Sequence, residues 1–420
     1  MASLYLHIPF CTQRCIYCDF YFTTTRSSRT PFLKAMHTEL AHYAAEYAWR
    51  EPIETIYFGG GTPSLLPARD LADLLDTIRR SFQTSDVCET TLEMNPDDAE
   101  PDYLRALRSL GFDRLSIGVQ SFYETDLTFL NRSHTPEQAV QAIEQAQEAG
   151  FDNLSVDLIF GIPDQPEEYW YANVQKLSRL GVPHLSTYGL TIEERTPLYK
   201  MVTQGRVMPA PEEEFAARYR FTMDFMRERG YEHYEISSFA LPGMRSRHNE
   251  IYWRHANYLG FGPSAHSFWW DGRSEAGGGS GSAEQTGTDG EEAGNGAVQT
   301  GTENGSARQP VTGARRWYNE ANLRKYEALV QQRVPPVGGE DALSLEMLAN
   351  EYIFLRLRTS DGLDVHRLKR IYGMDLLSGK PDLLTALEAE GYIEWSGNGY
   401  LCLTDAGKLV CDSVVEGLVG

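Results

Sequence analysis

The feature that most constrains this chain is a run of three cysteines near its start, Cys11, Cys15 and Cys18, spaced C-x3-C-x2-C. Three thiolates so close in sequence can hold an iron–sulfur cluster, whose usual protein complement is four. A cluster held by three leaves one iron without a protein ligand and open to a small molecule. The spacing therefore predicts a site of redox chemistry rather than a structural clip.

Two other uses of clustered cysteines fit less well. A zinc site normally has four Cys or His ligands in two separated halves, and although His7 could be a fourth ligand, no second half-site follows it. A disulfide would leave one of the three cysteines over. The cluster is the better interpretation.

Beyond the cysteines, β-rich and helical stretches alternate every ~30 residues through the first half of the chain, as parallel strands with crossover helices do. Ile53–Phe58 followed by the helical Leu71–Phe82 is one of six such units. The alternation predicts an α/β fold with its functional residues at the carboxyl ends of the strands.

The second half of the chain changes character twice. A strand-like Tyr231–Phe239 precedes a patch dense in His and aromatic residues, and from about Gly272 the composition turns to Gly, Ser, Thr and Glu without aromatics. Such a segment cannot bury enough apolar surface to offset chain entropy, which predicts a disordered insert. The sequence then predicts a helix over Trp317–Val330 and, near the end, a hairpin around Ser396–Gly399.

Charge and hydropathy exclude several classes of partner. The net charge is -21, and from Glu340 onward the chain carries seven Lys or Arg against fourteen Asp or Glu, the opposite of a nucleic-acid-binding surface. No apolar run reaches the ~18–20 residues of a membrane span. Few, unpaired cysteines favour a reducing compartment, so we expect a cytoplasmic protein, without nucleic acid and without a transmembrane segment.

The string from Tyr5 to Cys18, Y-x-H-I-P-F-C-x3-C-x-Y-C, resembles the oxygen-independent coproporphyrinogen III oxidase-like branch of the radical S-adenosylmethionine (SAM) proteins. The resemblance implies a partial (β/α)6 barrel, a [4Fe–4S] cluster held by the three cysteines, and SAM bound at the cluster. With the composition it divides the chain into a radical SAM partial barrel (1–240), a His and aromatic haem-motif segment (241–271), a low-complexity insert (272–314) and a C-terminal helical, winged-helix-like domain (315–420).

The same resemblance implies a set of SAM contacts. Gly59–Pro63 follows the second strand and is similar to the motif that binds the SAM amino group, and further polar residues stand at later strand ends, where carboxylates, an amide and a guanidinium suit a ribose and an amino acid. The implied contacts are Tyr5, Tyr17, Gly60, Gly61, Thr62, Glu93, Gln120, Arg132 and Asp157.

Two sequence details indicate which members of this family the chain resembles most. Phe20 stands where the oxidases have a fourth cysteine, which argues against coproporphyrinogen decarboxylation. The string from His248 to Trp253 reads H-N-x2-Y-W and is similar to a motif of the haem chaperones in this family. The motif implies haem with His248 as axial ligand and Tyr252 and Trp253 against the macrocycle.

The residues alone leave a structural alternative open, a histidine that caps a turn with the aromatics in the core. His255 and His266 are further candidate ligands.

Two functions therefore compete. One is a haem chaperone with a SAM-binding cluster that delivers haem to haem-accepting proteins, membrane respiratory enzymes among them, from the cytoplasm or the membrane periphery. The other is a radical SAM enzyme that decarboxylates coproporphyrinogen III or opens the haem ring. Phe20 and the H-N-x2-Y-W string favour the first.

Overall fold

The structure is a computed structural model that describes residues 1–271 and 313–420. The predicted insert, residues 272–314, lies outside the described residues except for its last two. Gly313 and Ala314 begin a strand, so the insert assigned from composition extends two residues too far.

Fourteen strands are formed by the described residues: β1 (Ala2–Ile8), β2 (Ile53–Gly60), β3 (Thr84–Met94), β4 (Arg114–Gln120), β5 (Asn153–Phe160), β6 (His184–Gly189), β7 (Glu232–Glu235), β8 (Ser238–Ala240), β9 (Tyr258–Phe261), β10 (His266–Asp271), β11 (Gly313–Asn319), β12 (Val337–Leu343), β13 (Ile393–Trp395) and β14 (Leu401–Leu403).

The helices in the same ranges are α1 (Arg29–Tyr47), α2 (Ala68–Ser81), α3 (Pro101–Leu110), α4 (Glu124–Leu130), α5 (Pro136–Glu148), α6 (Glu167–Arg179), α7 (Pro197–Thr203), α8 (Glu212–Glu228), α9 (Arg247–Trp253), α10 (Leu323–Gln331), α11 (Leu345–Leu357), α12 (Val365–Arg367), α13 (Leu376–Gly379), α14 (Pro381–Ala389), α15 (Asp405–Leu409) and α16 (Cys411–Leu418).

Strands β1 to β6 pair in chain order and are all parallel, which confirms the predicted α/β barrel-type core. Helices cover the sheet with apolar stripes, as in α2, where Leu71, Leu74, Leu75 and Ile78 are buried at the spacing of one helical face. The sheet does not close. Beyond β6 it continues antiparallel into β8 and β7, and the predicted single strand Tyr231–Phe239 is these two short strands.

At its other edge the sheet continues through β9, parallel to β1, and then through antiparallel β10, β11 and β12. The helix predicted to start at Trp317 is therefore wrong at its N-terminal end. Burial alternates along β11, with Trp317 and Asn319 inside and Tyr318 exposed, and Trp317 stacks on Tyr43 with ring centroids 6.1 Å apart. The helix begins only at Leu323, after the sheet has ended.

The C-terminal region is helical, as predicted, with one hairpin formed by β13 and β14. Its core, which includes Leu348, Ile353 and Leu418, is continuous with Phe268 and Trp270 on β10, so the region packs on the edge of the sheet. Within the two described ranges, no helix combines the length and the apolar character that a membrane span needs.

Candidate functional site

The carboxyl ends of the parallel strands open into a large cavity of about 1460 Å³. Its inner wall is formed by the cysteine loop after β1 and by the ends of β2 to β6. Its outer wall is formed by the segment after β6, by α8 and by residues 408–413 of the C-terminal region. Pockets that hold one small ligand measure roughly 300–1,000 Å³, so this cavity has room for more than one.

Cys11, Cys15 and Cys18 lie together on the cavity wall, and all three are partly buried free thiols. Arg132 Nη1 donates to Cys15 Sγ at 3.4 Å, and Thr62 Oγ1 donates to Cys11 Sγ at 3.8 Å. Burial raises the pKa of Cys11 to about 11 and also raises that of Cys18. Iron would therefore have to displace protons from these thiols on binding.

Across the described ranges, no three His, Cys, Asp or Glu side chains converge in the way that a single metal ion requires. A cluster spreads its thiolate ligands over several irons, whereas zinc draws its ligands onto one centre. The donor set of three thiols on one loop fits the cluster.

The glycines at the end of β2 are required by close backbone contacts. Gly60 has φ +107°, and a Cβ there would lie 2.6 Å from the His7 ring; a Cβ on Gly61 would lie 2.8 Å from the Phe10 carbonyl oxygen. Gly60 N also donates to Glu93 Oε2 at 3.1 Å. Together with Thr62, both glycines line the cavity.

Two carboxylates from the strands on either side of β4, Glu93 on β3 and Asp157 on β5, line the cavity. Burial, and for Glu93 also the nearby Asp157 charge, raises the pKa of Glu93 to about 7. Burial raises that of Asp157 to about 6. Ser116 Oγ donates to Asp157 at 3.3 Å. Both acids are therefore poised between charged and neutral forms near physiological pH.

Arg132 follows α4 and is a cation of the inner wall. Its Nη2 donates to Asn95 Oδ1 at 2.8 Å and to the Gly118 carbonyl at 2.6 Å, but its buried Nε has no hydrogen-bond partner among the described residues. A buried donor without a partner costs free energy unless a ligand or water accepts from it. Beside it, Gln120 takes the left-handed φ of 67°, a strained conformation of the kind found at functional sites.

The two tyrosines predicted as SAM contacts lie in different places. Tyr17 lines the cavity, whereas Tyr5 lies behind it, with its hydroxyl 3.2 Å from His7 Nδ1 and its ring 6.1 Å from that of Tyr57. Tyr5 is therefore outside the lining of the cavity, and a direct SAM contact by Tyr5 stays a prediction.

The structure buries His248, the predicted haem ligand, and its role as a ligand stays a prediction. His248 is 1% exposed on α9; its Nδ1 lies 2.7 Å from Thr55 Oγ1 and its Nε2 lies 2.9 Å from Tyr252 Oη, so both ring nitrogens are engaged. Burial lowers its pKa to about 3, which leaves the imidazole neutral. The structural alternative, a core histidine, describes this residue.

The other residues of the haem motif lie away from the cavity as well. Tyr252 makes an edge contact with Tyr258, with centroids 4.7 Å apart, and Trp253 lies under the guanidinium of Arg358. Of the spare candidates, His255 is buried, with Nδ1 3.1 Å from the Tyr372 hydroxyl, and His266 is exposed on β10. None of the chain's ten histidines lines the cavity.

Tyr57, which sequence reasoning missed, connects the buried motif to the cavity. Its hydroxyl donates to Glu93 Oε1 at 2.8 Å, and its ring stacks on His248 with centroids 4.7 Å apart. The signal was present in the alternation of β2, because Tyr57 stands beside Tyr5 in the parallel register. The H-N-x2-Y-W segment thus lies directly behind a predicted SAM contact.

The cavity wall contains further residues that sequence reasoning did not single out as contacts. Phe20 is 71% exposed and Tyr188 is 46% exposed, although both line the cavity. Arg220 reaches it from α8. Only Phe20 carried a signal, as the residue at the position of the oxidases' fourth cysteine.

Comparison with known proteins matches both halves of the chain. The pattern of the Radical SAM superfamily covers residues 5–192, and that of the HemN C-terminal domain covers residues 343–410. The chain is 31% identical over 423 residues to a protein of Bacillus subtilis named "Heme chaperone HemW", with 100% of both chains covered. A protein of the same name from Mycobacterium tuberculosis is 30% identical over 422 residues, with 100% of this chain and 95% of that protein covered.

Among solved structures, "Coproporphyrinogen III oxidase (HemN) from Escherichia coli is a Radical SAM enzyme" aligns with a TM-score of 0.76 and 21% identity, over 100% of this chain and 90% of that one. At this identity the likeness concerns the fold, an open radical SAM sheet followed by a helical C-terminal domain.

Proposed function

Because the chain belongs to the HemW family of radical SAM proteins, we propose that it is a haem chaperone that carries a SAM-binding [4Fe–4S] cluster. It binds haem and passes it to haem-dependent proteins, respiratory enzymes among them. Its six free cysteines suit the reducing cytoplasm as the place where it acts.

One observation carries the SAM and cluster part of this proposal: a single cavity brings the three cysteines together with all but one of the residues that family resemblance assigns to SAM. Cys11, Cys15 and Cys18 would hold the cluster, and the unpartnered Nε of Arg132 fits a ligand carboxylate. When bound, the cluster supplies one electron to SAM, whose reductive cleavage is the chemistry of radical SAM proteins.

The chain's own residues would orient SAM and keep water away from it. Glu93 and Asp157 would accept hydrogen bonds from the ribose hydroxyls, and Gln120 would bind a polar edge of the ligand. The backbone of Gly60 and Gly61, where there is no room for a side chain, would lie against the amino group of SAM.

The haem part rests on the relatives, whose printed names describe haem chaperones, and on the space that the cavity leaves beside SAM. Phe20 occupies the position of the oxidases' fourth cysteine, which argues against decarboxylation of coproporphyrinogen III.

The test uses anaerobically reconstituted full-length protein. We expect about four irons and four sulfides per chain, saturable SAM binding, and hemin binding followed by transfer of haem to an apo-haemoprotein added in solution. Coproporphyrinogen III with SAM and a reductant should give no protoporphyrinogen. Formation of protoporphyrinogen at catalytic turnover would overturn the chaperone function in favour of an enzyme.

A further inference from the structure

We propose that Asn131 is a positioning residue for the cluster, because it fixes the cysteine loop at Cys15 and joins that loop to Arg132, the cation predicted to contact SAM. Asn131 itself is exposed and lies outside the cavity, so it acts through its neighbours. This inference rests on the proposed function, since it concerns how the chain prepares the loop that would hold the cluster.

The cysteine loop needs support from other elements because it has little regular structure of its own. Residues 11–20 form neither helix nor strand. At its base the loop is closed by two backbone hydrogen bonds. Cys11 N donates to the Thr23 carbonyl at 3.0 Å, and Thr23 N donates to the Pro9 carbonyl at 2.6 Å. Neither bond involves Cys15, so the position of this cysteine must be set by contacts farther along the loop.

The end of α4 supplies such contacts on both sides of Cys15. On one side, the Leu130 carbonyl accepts from Ile16 N at 3.3 Å. On the other side, Asn131 Nδ2 donates to the Arg14 carbonyl at 2.6 Å. Two consecutive residues of α4 and its cap thus hold the backbone immediately before and after the middle cysteine.

Asn131 also joins this part of the loop to the predicted SAM contact. Its backbone carbonyl accepts from Gln13 Nε2 at 2.9 Å, so the residue both donates to the loop and accepts from it. The next residue, Arg132, donates through Nη1 to Cys15 Sγ at 3.4 Å. Because Asn131 and Arg132 are adjacent in the chain, a displacement of one displaces the other. One short segment therefore places both the cysteine loop and the cation.

The backbone conformation at position 131 explains why an asparagine suits it. Asn131 ends α4 with φ 56° and ψ 52°, in the left-handed region, and its N–H donates to the Thr128 carbonyl at 3.1 Å. Gly, Asn and Asp adopt this conformation more readily than other residues. Of these three, only Asn has a side-chain N–H that can donate to the Arg14 carbonyl, whereas Asp would turn a carboxylate toward it.

The loop does not depend on Asn131 alone, because the segment before α7 holds its other side. Arg14 Nη2 donates to the Arg195 carbonyl at 2.9 Å. Leu198 N donates to the Ile16 carbonyl, also at 2.9 Å. Loss of the Asn131 side chain should therefore loosen the loop without unfolding it. Partners that orient metal ligands in this way typically contribute 10-fold to 100-fold in metal affinity.

The experiment compares Asn131→Gly and Asn131→Asp with the wild type after anaerobic reconstitution of the full chain. Both variants tolerate the left-handed backbone and lack the side-chain donor. Loss of iron to an excess of chelator, followed by the absorbance of the cluster, should be about tenfold faster in both. The electron paramagnetic resonance spectrum of the reduced cluster should change, because Cys15 is held differently. SAM affinity, measured by equilibrium dialysis, should fall about threefold to tenfold because Arg132 moves with its neighbour.

The matched control is Asp164→Gly. Asp164 is also exposed, has the left-handed φ of 57° and lies outside the cavity. This variant should keep the wild-type rate of iron loss, cluster spectrum and SAM affinity. Thermal unfolding of the apo-proteins compares their stability, and Asn131→Gly and Asp164→Gly should unfold at similar temperatures because both side chains are exposed.

The outcomes distinguish this inference from the proposed function. Wild-type protein that takes up no iron–sulfur cluster would overturn the proposed function. A wild-type cluster whose rate of iron loss and spectrum are unchanged in both Asn131 variants would overturn the positioning role alone. Apo-proteins of these variants that unfold well below the Asp164→Gly control would also overturn it, because Asn131 would then stabilise the fold as a whole. Faster iron loss with unfolding like that of the control supports the positioning role.

Discussion

The cavity wall and the H-N-x2-Y-W segment are two polar regions built in opposite ways. On the cavity wall, hydrogen-bonding capacity remains open: Arg132 Nε is buried without a partner in the part of the chain that the structure describes, and the three thiols of the cysteine loop face one space. On α9, the ring of His248 has a partner for each nitrogen and a stacked ring on one face. Open capacity indicates a ligand site, whereas a closed network indicates support for one.

The largest effect that would test this comparison is loss of the cluster. Replacing Cys11, Cys15 or Cys18 by Ala should abolish iron and sulfide binding after reconstitution, because each removed thiolate leaves an iron without its protein ligand. Iron content and the absorbance of the cluster measure the outcome. Cys88→Ala and Cys402→Ala, outside the cavity, should keep the full complement; a cluster that survives in a Cys15→Ala variant would contradict the assignment.

The next effect concerns the carboxylate of the inner wall. Glu93→Gln keeps the size of the side chain but removes its charge, and charge-assisted hydrogen bonds contribute roughly 1.5–3 kcal/mol. We expect SAM affinity to fall about 10-fold to 100-fold, measured by equilibrium dialysis, with iron content unchanged. The matched control is Glu89→Gln. Glu89 is a buried glutamate of the same strand; it accepts a hydrogen bond from the backbone of α9 and lies outside the cavity.

The pH dependence of SAM binding should be of similar size. Burial raises the pKa of Glu93 to about 7, and the neutral acid is a poorer acceptor for a cationic ligand. If the ionised form is the one that binds SAM, affinity should be about tenfold weaker at pH 6 than at pH 8. Asp157, whose pKa burial raises to about 6, should add to the loss at lower pH.

The direction of this pH dependence follows from the titration of a carboxylic acid. Glu93 becomes more protonated as the pH falls, so SAM affinity falls as well. In Glu93→Gln the dependence above pH 6 should flatten. Equal steepness in wild type and variant would assign the titration to another group.

The inner wall could be predicted from sequence because its residues stand at strand ends, and parallel β/α alternation brings those ends to one edge. Gly60, Glu93 and Asp157 come from three different strands and meet for this reason. The place of His248 could not be predicted, because its partner Thr55 is 193 residues away and the contact depends on how α9 packs on β2. A histidine of a ligand-binding motif and a histidine of the core look the same in a sequence.

The fold also divides into parts that the local sequence predicts and parts that depend on tertiary packing. The strands of the barrel carry their own local signal, whereas Trp317 belongs to a strand only because β10 and β12 flank it. Its downstream neighbours from Leu323 do have helical spacing, which extended the predicted helix too far. Arg220 and Phe20 are 200 residues apart and meet at one cavity through tertiary packing alone.

The smallest effect that we predict is the most direct test of the support role of α9. His248→Ala removes the ring that stacks on Tyr57, and Tyr57 holds Glu93 through its hydroxyl. The variant leaves Thr55 and Tyr252 without a partner, which should lower the free energy of unfolding by ~1–3 kcal/mol. A less well-positioned Glu93 should weaken SAM binding about threefold to tenfold, less than its own substitution does.

The matched control for that variant is His255→Ala. His255 is also buried, in the same region of the chain, and it bonds Tyr372 rather than the SAM wall. Its loss should destabilise the fold by a similar amount, measured by thermal unfolding, and leave SAM affinity unchanged. Since both variants lose a buried imidazole, a difference between them in SAM affinity isolates the path through Tyr57. Equal SAM affinity in the two variants would show that the buried motif stabilises the fold without acting on the cavity.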